Sequence, residues 1–120
     1  MKKLKCHCGA IEAEINILAK LEKFFRCNCS ICKRKGTVMS MVQNEEFKII
    51  KGEDKLTLYQ FHTNVAKHYF CSICGIYTHH HPRINPAITA FNIGCLEDID
   101  SLNLENVSVI NGRNHPLDKK

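Results

Sequence analysis

Seven of the eight cysteines fall into three short knots: Cys6-His7-Cys8-Gly9, Cys27-Asn28-Cys29-Ser30-Ile31-Cys32 and Cys71-Ser72-Ile73-Cys74-Gly75. Thiols at this density serve metal ligation or cross-linking rather than core packing. A bridge across the single residue of Cys-x-Cys is strained. The basic start, Met1-Lys2-Lys3-Leu4-Lys5, runs into Cys6-His7-Cys8-Gly9 where an export signal needs an apolar stretch. Reduced thiols in a cytoplasmic protein are therefore expected, and the spacing then points to metal. Soft thiolates suit zinc, and none of the usual ferredoxin spacings is present to favour an iron–sulfur cluster.

The arithmetic of the knots assigns roles. Cys6, Cys8, Cys71 and Cys74 supply four thiolates, enough for a closed structural tetrahedron that staples the ends of a small sheet. Cys27, Cys29 and Cys32 supply three, which leaves one position open for water or substrate. Up to two zinc ions per chain are expected. A zinc ion with three thiolates carries a net single negative charge, so it is a weak Lewis acid. It is better suited to holding an incoming thiol as a nucleophilic thiolate. That chemistry fits addition of a thiol to a small aldehyde, or the reverse, cleavage of a carbon–sulfur bond.

Several residues have a plainer role beside a sharper one. Cys95 is expected to be a small buried hydrophobe; as a fourth ligand it would close the second site. On a strand, His79 and His81 share a face and His80 opposes them, and the three are expected to form a solvated or partly packed cluster. His62 and His68 are the candidate acid–base groups, and His7 belongs to the surface. Arg26 and Lys33-Arg34-Lys35 are expected as charge compensation, the latter run on a solvated turn with a ligand carboxylate or phosphate as its alternative partner.

These residues need a scaffold of short strands. Ala10 to Ile17 alternates apolar and polar, and Lys3 to Cys8 is its expected partner across Gly9, with both sulfurs of that knot on one strand face. Residues 18–26 fit a weak helix or a strand ending at Arg26. Ser30 is the expected N-cap of one helical turn through Lys35, closed by Gly36. Further strands are expected over Thr37–Val42, Phe47–Ile50, Leu56–Phe61, Lys67–Phe70, Ile76–His81, Ala87–Ile93 and Val107–Ile110, with Leu96–Leu104 turn-like or briefly helical. The result is one mainly β domain over residues 1–120, its tail from 111 to 120 expected to fray. No apolar run spans a membrane. A formal charge of +5 without aromatic platforms or a basic stripe gives no expectation of nucleic acid.

The three knots, the central one read on through Lys33-Arg34-Lys35-Gly36 and the last from Phe70, resemble the signatures of the glutathione-dependent formaldehyde-activating enzyme family. That family also contains the domain of centromere protein V. Tyr59 to Phe70, Pro82 to Pro86 and Asn92 to Leu96 are similar to the centromere-protein-V branch. The resemblance covers nearly the whole chain in order. It implies a β-tent fold of packed antiparallel sheets stapled by the four-cysteine zinc site, with Cys27, Cys29 and Cys32 at the catalytic zinc. It implies joining of glutathione and formaldehyde as S-hydroxymethylglutathione. The alternative it carries is a non-catalytic, zinc-stapled interaction module of the centromere-protein-V type.

Overall fold

Alternation along Ala10 to Ile17 does build a half-buried strand, and the rest of the fold can be followed outward from it. Ile11, Ala13 and Ile15 are fully buried, while Glu12 and Glu14 face outward. The computed structural model describes residues 1–17 and 23–114. Over these the chain forms two sheets. The smaller is antiparallel and joins β1 (Lys2–Lys5), β2 (Glu12–Ile15) and β5 (Phe47–Lys51) in that order. The larger contains β3 (Phe25–Cys27), β4 (Met39–Gln43), β6 (Leu56–Tyr59), β7 (Lys67–Cys71), β8 (Tyr77–His81), β9 (Ile88–Asn92) and β10 (Ser108–Ile110). Its order is β10-β3-β4-β9-β8-β7-β6, and every pair is antiparallel except β10 with β3.

The sheets pack through one apolar cluster: Leu4, Ala13 and Ile15 from the small sheet against Val38, Phe91, Ile93 and Leu96. Each fully buried aliphatic side chain contributes about 1.5–3 kcal/mol. This is the mainly β architecture of packed sheets that the sequence implied.

Local departures have physical causes. β1 ends at Lys5, so Cys6 and Cys8 do not sit on a strand. The chain leaves the sheet in a turn, with Gly9 N–H donating to Cys6 O at 3.2 Å and Gly9 at φ +80°, a left-handed conformation that glycine adopts without strain. The helix α1 spans Ser30–Lys35, and its cap is Cys29 rather than Ser30. The Cys29 sulfur accepts from Cys32 N–H at 3.4 Å, which places both sulfurs on the same turn. Gly36 closes α1 as expected, donating its N–H to Cys32 O. Residues 96–104 hold only a short 3-10 turn, Ser101–Asn103, capped by Asp100. The first part of the expected 18–26 element lies outside the described residues.

A bulge in β8 matters for the site. Tyr69 pairs with His79 and Phe70 with Tyr77, so Thr78 is an extra residue in β8. The extra residue reverses the alternation, bringing Tyr77 to the face of His80. Residues 111–113 are likewise not loose: Asn28 Nδ2 donates to Asn111 Oδ1 at 3.1 Å, Arg83 to Gly112 O at 3.1 Å, and Arg113 N–H to Asn28 Oδ1 at 2.9 Å. Residues 115–120 lie outside the described residues.

Candidate metal centre

Two groups of sulfurs converge. Cys6, Cys8, Cys71 and Cys74 come from two facing turns, each followed by a left-handed glycine, Gly9 and Gly75. All four sulfurs lie within 4.8 Å of one another, with Cys8 Sγ 3.7 Å from both Cys6 Sγ and Cys71 Sγ. Four sulfurs at the usual zinc–sulfur length form a tetrahedron with edges of about 3.8 Å, so the spacing fits. Backbone N–H groups of Ile11 and Ile73 point at the sulfurs of Cys6 and Cys71, at 3.3 and 3.4 Å. Such donors favour the thiolate form. Ile11 and Leu56 pack around this cluster.

The second group is Cys27, Cys29 and Cys32, again within 4.8 Å of one another. Cys27 ends β3, Cys29 caps α1 and Cys32 lies inside it. Hydrogen bonds from Cys29 and Cys32 pull the Cys27 thiol well down, and the same pairing pushes Cys32 far up. The trio thus gives up its first proton readily and holds the next. A dication supplies the charge that would release it. Gly112 presses on the trio from the turn that follows the last strand: a Cβ there would lie 2.5 Å from Cys27 Sγ.

The trio forms part of the wall of a cavity of about 480 Å³. Apolar side chains dominate the rest, among them Phe25, Ile31, Met39, Met41, Phe61 and Ile84, with His68, His80, Arg83, Asn85 and Asn111 as the polar residues of the wall. A neighbouring groove of about 570 Å³ shares Ile31 and Phe61 with it and carries Arg34, Arg113, Ser30, Tyr59 and His62.

His68, His79 and His80 are buried and packed, and His81 is half-buried. His68 and His80 face each other across β7 and β8, stacked at 4.9 Å, while His79 lies on the far face against Tyr69 at 4.8 Å and Phe47 at 4.6 Å. The imidazoles act as members of an aromatic column. Burial lowers His68 to about 4 and His79 to about 3, and drives His80 well down. Lys35 also departs from the expected solvated turn. Its Nζ lies 2.8 Å from His68 Nδ1 and 3.7 Å above the Tyr77 ring, and burial lowers it to about 8. Arg26 and Arg34 spend donors on the carbonyls of Gly36 and Ser30, at 2.9 and 2.7 Å, around α1.

Cys95 is buried among Leu4, Ile15 and Phe91, and its sulfur lies 3.7 Å from Tyr77 O, outside both groups. His7 is exposed, and so is His62, which sits in the groove and not beside the sulfurs. The sequence reading missed Tyr77 as the partner of His80, at 2.5 Å, and the cavity wall from Ile110 to Gly112. The Thr78 bulge hid the first; the second had only a lone glycine as its signal.

Two facing cysteine turns under a packed pair of sheets, with a sulfur trio opening into a mainly apolar cavity, define a β domain built around two cysteine clusters that could hold metal ions. A family model described as glutathione-dependent formaldehyde-activating enzyme matches residues 1–109, and the chain belongs to that family. A crystal structure of a Rhodobacter sphaeroides protein is similar with a TM-score of 0.85 at 41% identity, covering 90% of this chain and 99% of that one.

Proposed function

We propose that this protein is a cytoplasmic, zinc-dependent carbon–sulfur lyase-like enzyme acting on a thiol–aldehyde adduct of the glutathione–formaldehyde type. The observation that carries the reading is the trio itself: three converging sulfurs, with no fourth His, Cys, Asp or Glu grouped with them among the described residues, in the wall of an apolar cavity. Cys6, Cys8, Cys71 and Cys74 would hold a structural ion, and Cys27, Cys29 and Cys32 the second. Zinc at the trio supplies one thing, a lowered thiol pKa that keeps the substrate sulfur ionised.

The chain's own residues do the rest. Phe25, Met39 and Phe61 keep bulk water from the reacting carbon. Arg34 and Arg113 in the adjoining groove offer cations to the carboxylates of a glutathione-like thiol. The sulfur lone pair forms the carbon–sulfur bond, the carbonyl pair moves to oxygen, and a proton ends there; the lyase direction reverses each movement. The interaction-module reading requires a side chain to fill the fourth position, and the placement of Cys95 in the core weighs against it.

Cobalt substitution tests the proposal. Glutathione should change the sulfur-to-cobalt absorption and release a proton, and Cys32→Ser should abolish the change. A four-sulfur spectrum at the trio before any thiol is added would overturn it.

A further inference from the structure

Two imidazoles beside the trio have their tautomers set by their neighbours. An ammonium only donates, so His68 Nδ1, 2.8 Å from Lys35 Nζ, is an acceptor. The neutral ring then carries its proton on Nε2. His80 Nδ1 lies 2.5 Å from Tyr77 Oη, whose other neighbour is the weakly accepting Met39 sulfur at 3.5 Å. The phenol therefore donates to His80, which places that ring's proton on Nε2 as well.

Among the described residues, neither Nε2 has a hydrogen-bond partner. Among the described residues, the one buried side-chain nitrogen or oxygen left without a partner is Thr37 Oγ1. Both Nε2 atoms are thus reached from open space, and the space that both rings line is the trio's cavity. His68 and His80 are paired across the strands and stacked at 4.9 Å with planes 23° apart. Two N–H donors stand side by side in a mainly apolar enclosure whose wall also carries Arg83, Asn85 and Asn111. Donors so fixed in a dry site serve an oxygen on which charge develops.

We infer that His68 and His80 form a two-donor site for the carbonyl-derived oxygen of the thiol–aldehyde adduct, with Lys35 fixing the tautomer of His68 and feeding it a proton. The inference rests on the lyase reading above. As the carbon–sulfur bond forms, the carbonyl pair moves onto oxygen. The oxygen takes the Nε2 proton of His68, Nδ1 takes one from Lys35, and Lys35 recovers the proton that the thiol released. Thiol and aldehyde are both consumed, nothing is oxidised, and the proton count closes. The ligand class is an aldehyde small enough for its carbon to sit between the trio and the two rings.

The test is nitrogen NMR on the metal-loaded protein with labelled histidine. Long-range proton–nitrogen spectra should show His68 and His80 as Nε2–H tautomers. Glutathione alone should move the Cys27, Cys29 and Cys32 resonances and leave both Nε2 signals in place; glutathione with formaldehyde should shift both. Lys35→Met should mix the His68 tautomers and slow adduct exchange, read with labelled formaldehyde, by about 10²-fold. Lys35→Arg should restore the tautomer without restoring the rate, since arginine does not release its proton. An Nδ1–H tautomer on either ring in the unmutated protein would overturn the inference. So would cysteines that answer glutathione while both Nε2 signals ignore the adduct, and this outcome would leave the lyase reading standing. Cysteines silent to glutathione would overturn the lyase reading and the oxygen site together.

Discussion

The four-sulfur cluster is the more exposed of the two, and the three-sulfur cluster the more enclosed. Cys8 is exposed and Cys74 half-buried, whereas Cys29 and Cys32 are buried behind a cavity. The difference teaches that accessibility to solvent and availability for chemistry are separate properties. The first cluster meets water with four sulfurs gathered; the second lies further inside the protein with three. The turns explain the contrast. Two glycine-closed turns face each other and deliver four sulfurs, while a strand end and one helical turn deliver three.

Breaking one sulfur in each cluster gives the largest expected effect. A structural zinc contributes about 10–16 kcal/mol of apparent binding free energy, which is also folding free energy. Cys71→Ser should therefore yield insoluble or unfolded protein. Cys32→Ser should yield folded protein carrying one metal ion fewer, as native mass spectrometry and circular dichroism would show. In the unmutated protein graded chelation should strip the trio first. Equal loss at both clusters would erase the distinction.

Two glycines sharpen the comparison at smaller cost. Gly52 has φ +80°, and a Cβ there would lie 1.9 Å from Ala10 O, in the turn that follows Cys6 and Cys8. Gly52→Ala should destabilise the whole fold by about 1–3 kcal/mol from backbone strain alone, with the clash added. Gly112→Ala should barely move the melting temperature yet weaken metal binding at the trio, because its added carbon meets Cys27. Calorimetry and metal titration on the pair separate the two outcomes; a melting temperature as low for Gly112→Ala as for Gly52→Ala would contradict them.

The smallest effect concerns acid. His79 belongs to neither cluster, and burial holds it at about 3 against an ordinary 6.5. Between those values the unfolded chain binds a proton that the native one refuses. Stability is thus complete above about pH 6.5 and drains as pH falls towards 3. His79→Phe should remove this share, about 1 kcal/mol by pH 5.5. What remains of the acid sensitivity would then belong to the thiolates. Parallel pH profiles for the two proteins would show that the share does not exist.

Legibility in the sequence followed locality. The sulfurs could be grouped from the chain because chelation demands close spacing, and the strands because alternation persists over four or five residues. Thr78 was illegible because strand register creates its bulge, and register is settled by β7. Lys35 reads as one more cation in a basic run; its inward turn depends on Tyr77 and His68, both far along the chain. Ser30 has the better capping side chain, yet Cys29 takes the position because convergence with Cys27 and Cys32 fixes its backbone.

The parallel strand that ends the large sheet has a further consequence, one of rates. β10 is bonded to a single neighbour over three residue pairs, and all three of its residues are exposed. Detaching it uncovers little apolar surface, so it opens at lower free energy than β4 or β9. Amide exchange at Val109 and Ile110 should accordingly outrun exchange at Ser40 and Phe91. Because Ile110 to Gly112 form one wall of the cavity, that opening is also a doorway. The residence time of an enclosed ligand would then follow how often this seam parts, and a covalent clamp between β10 and β3 would lengthen the stay without altering a single contact inside.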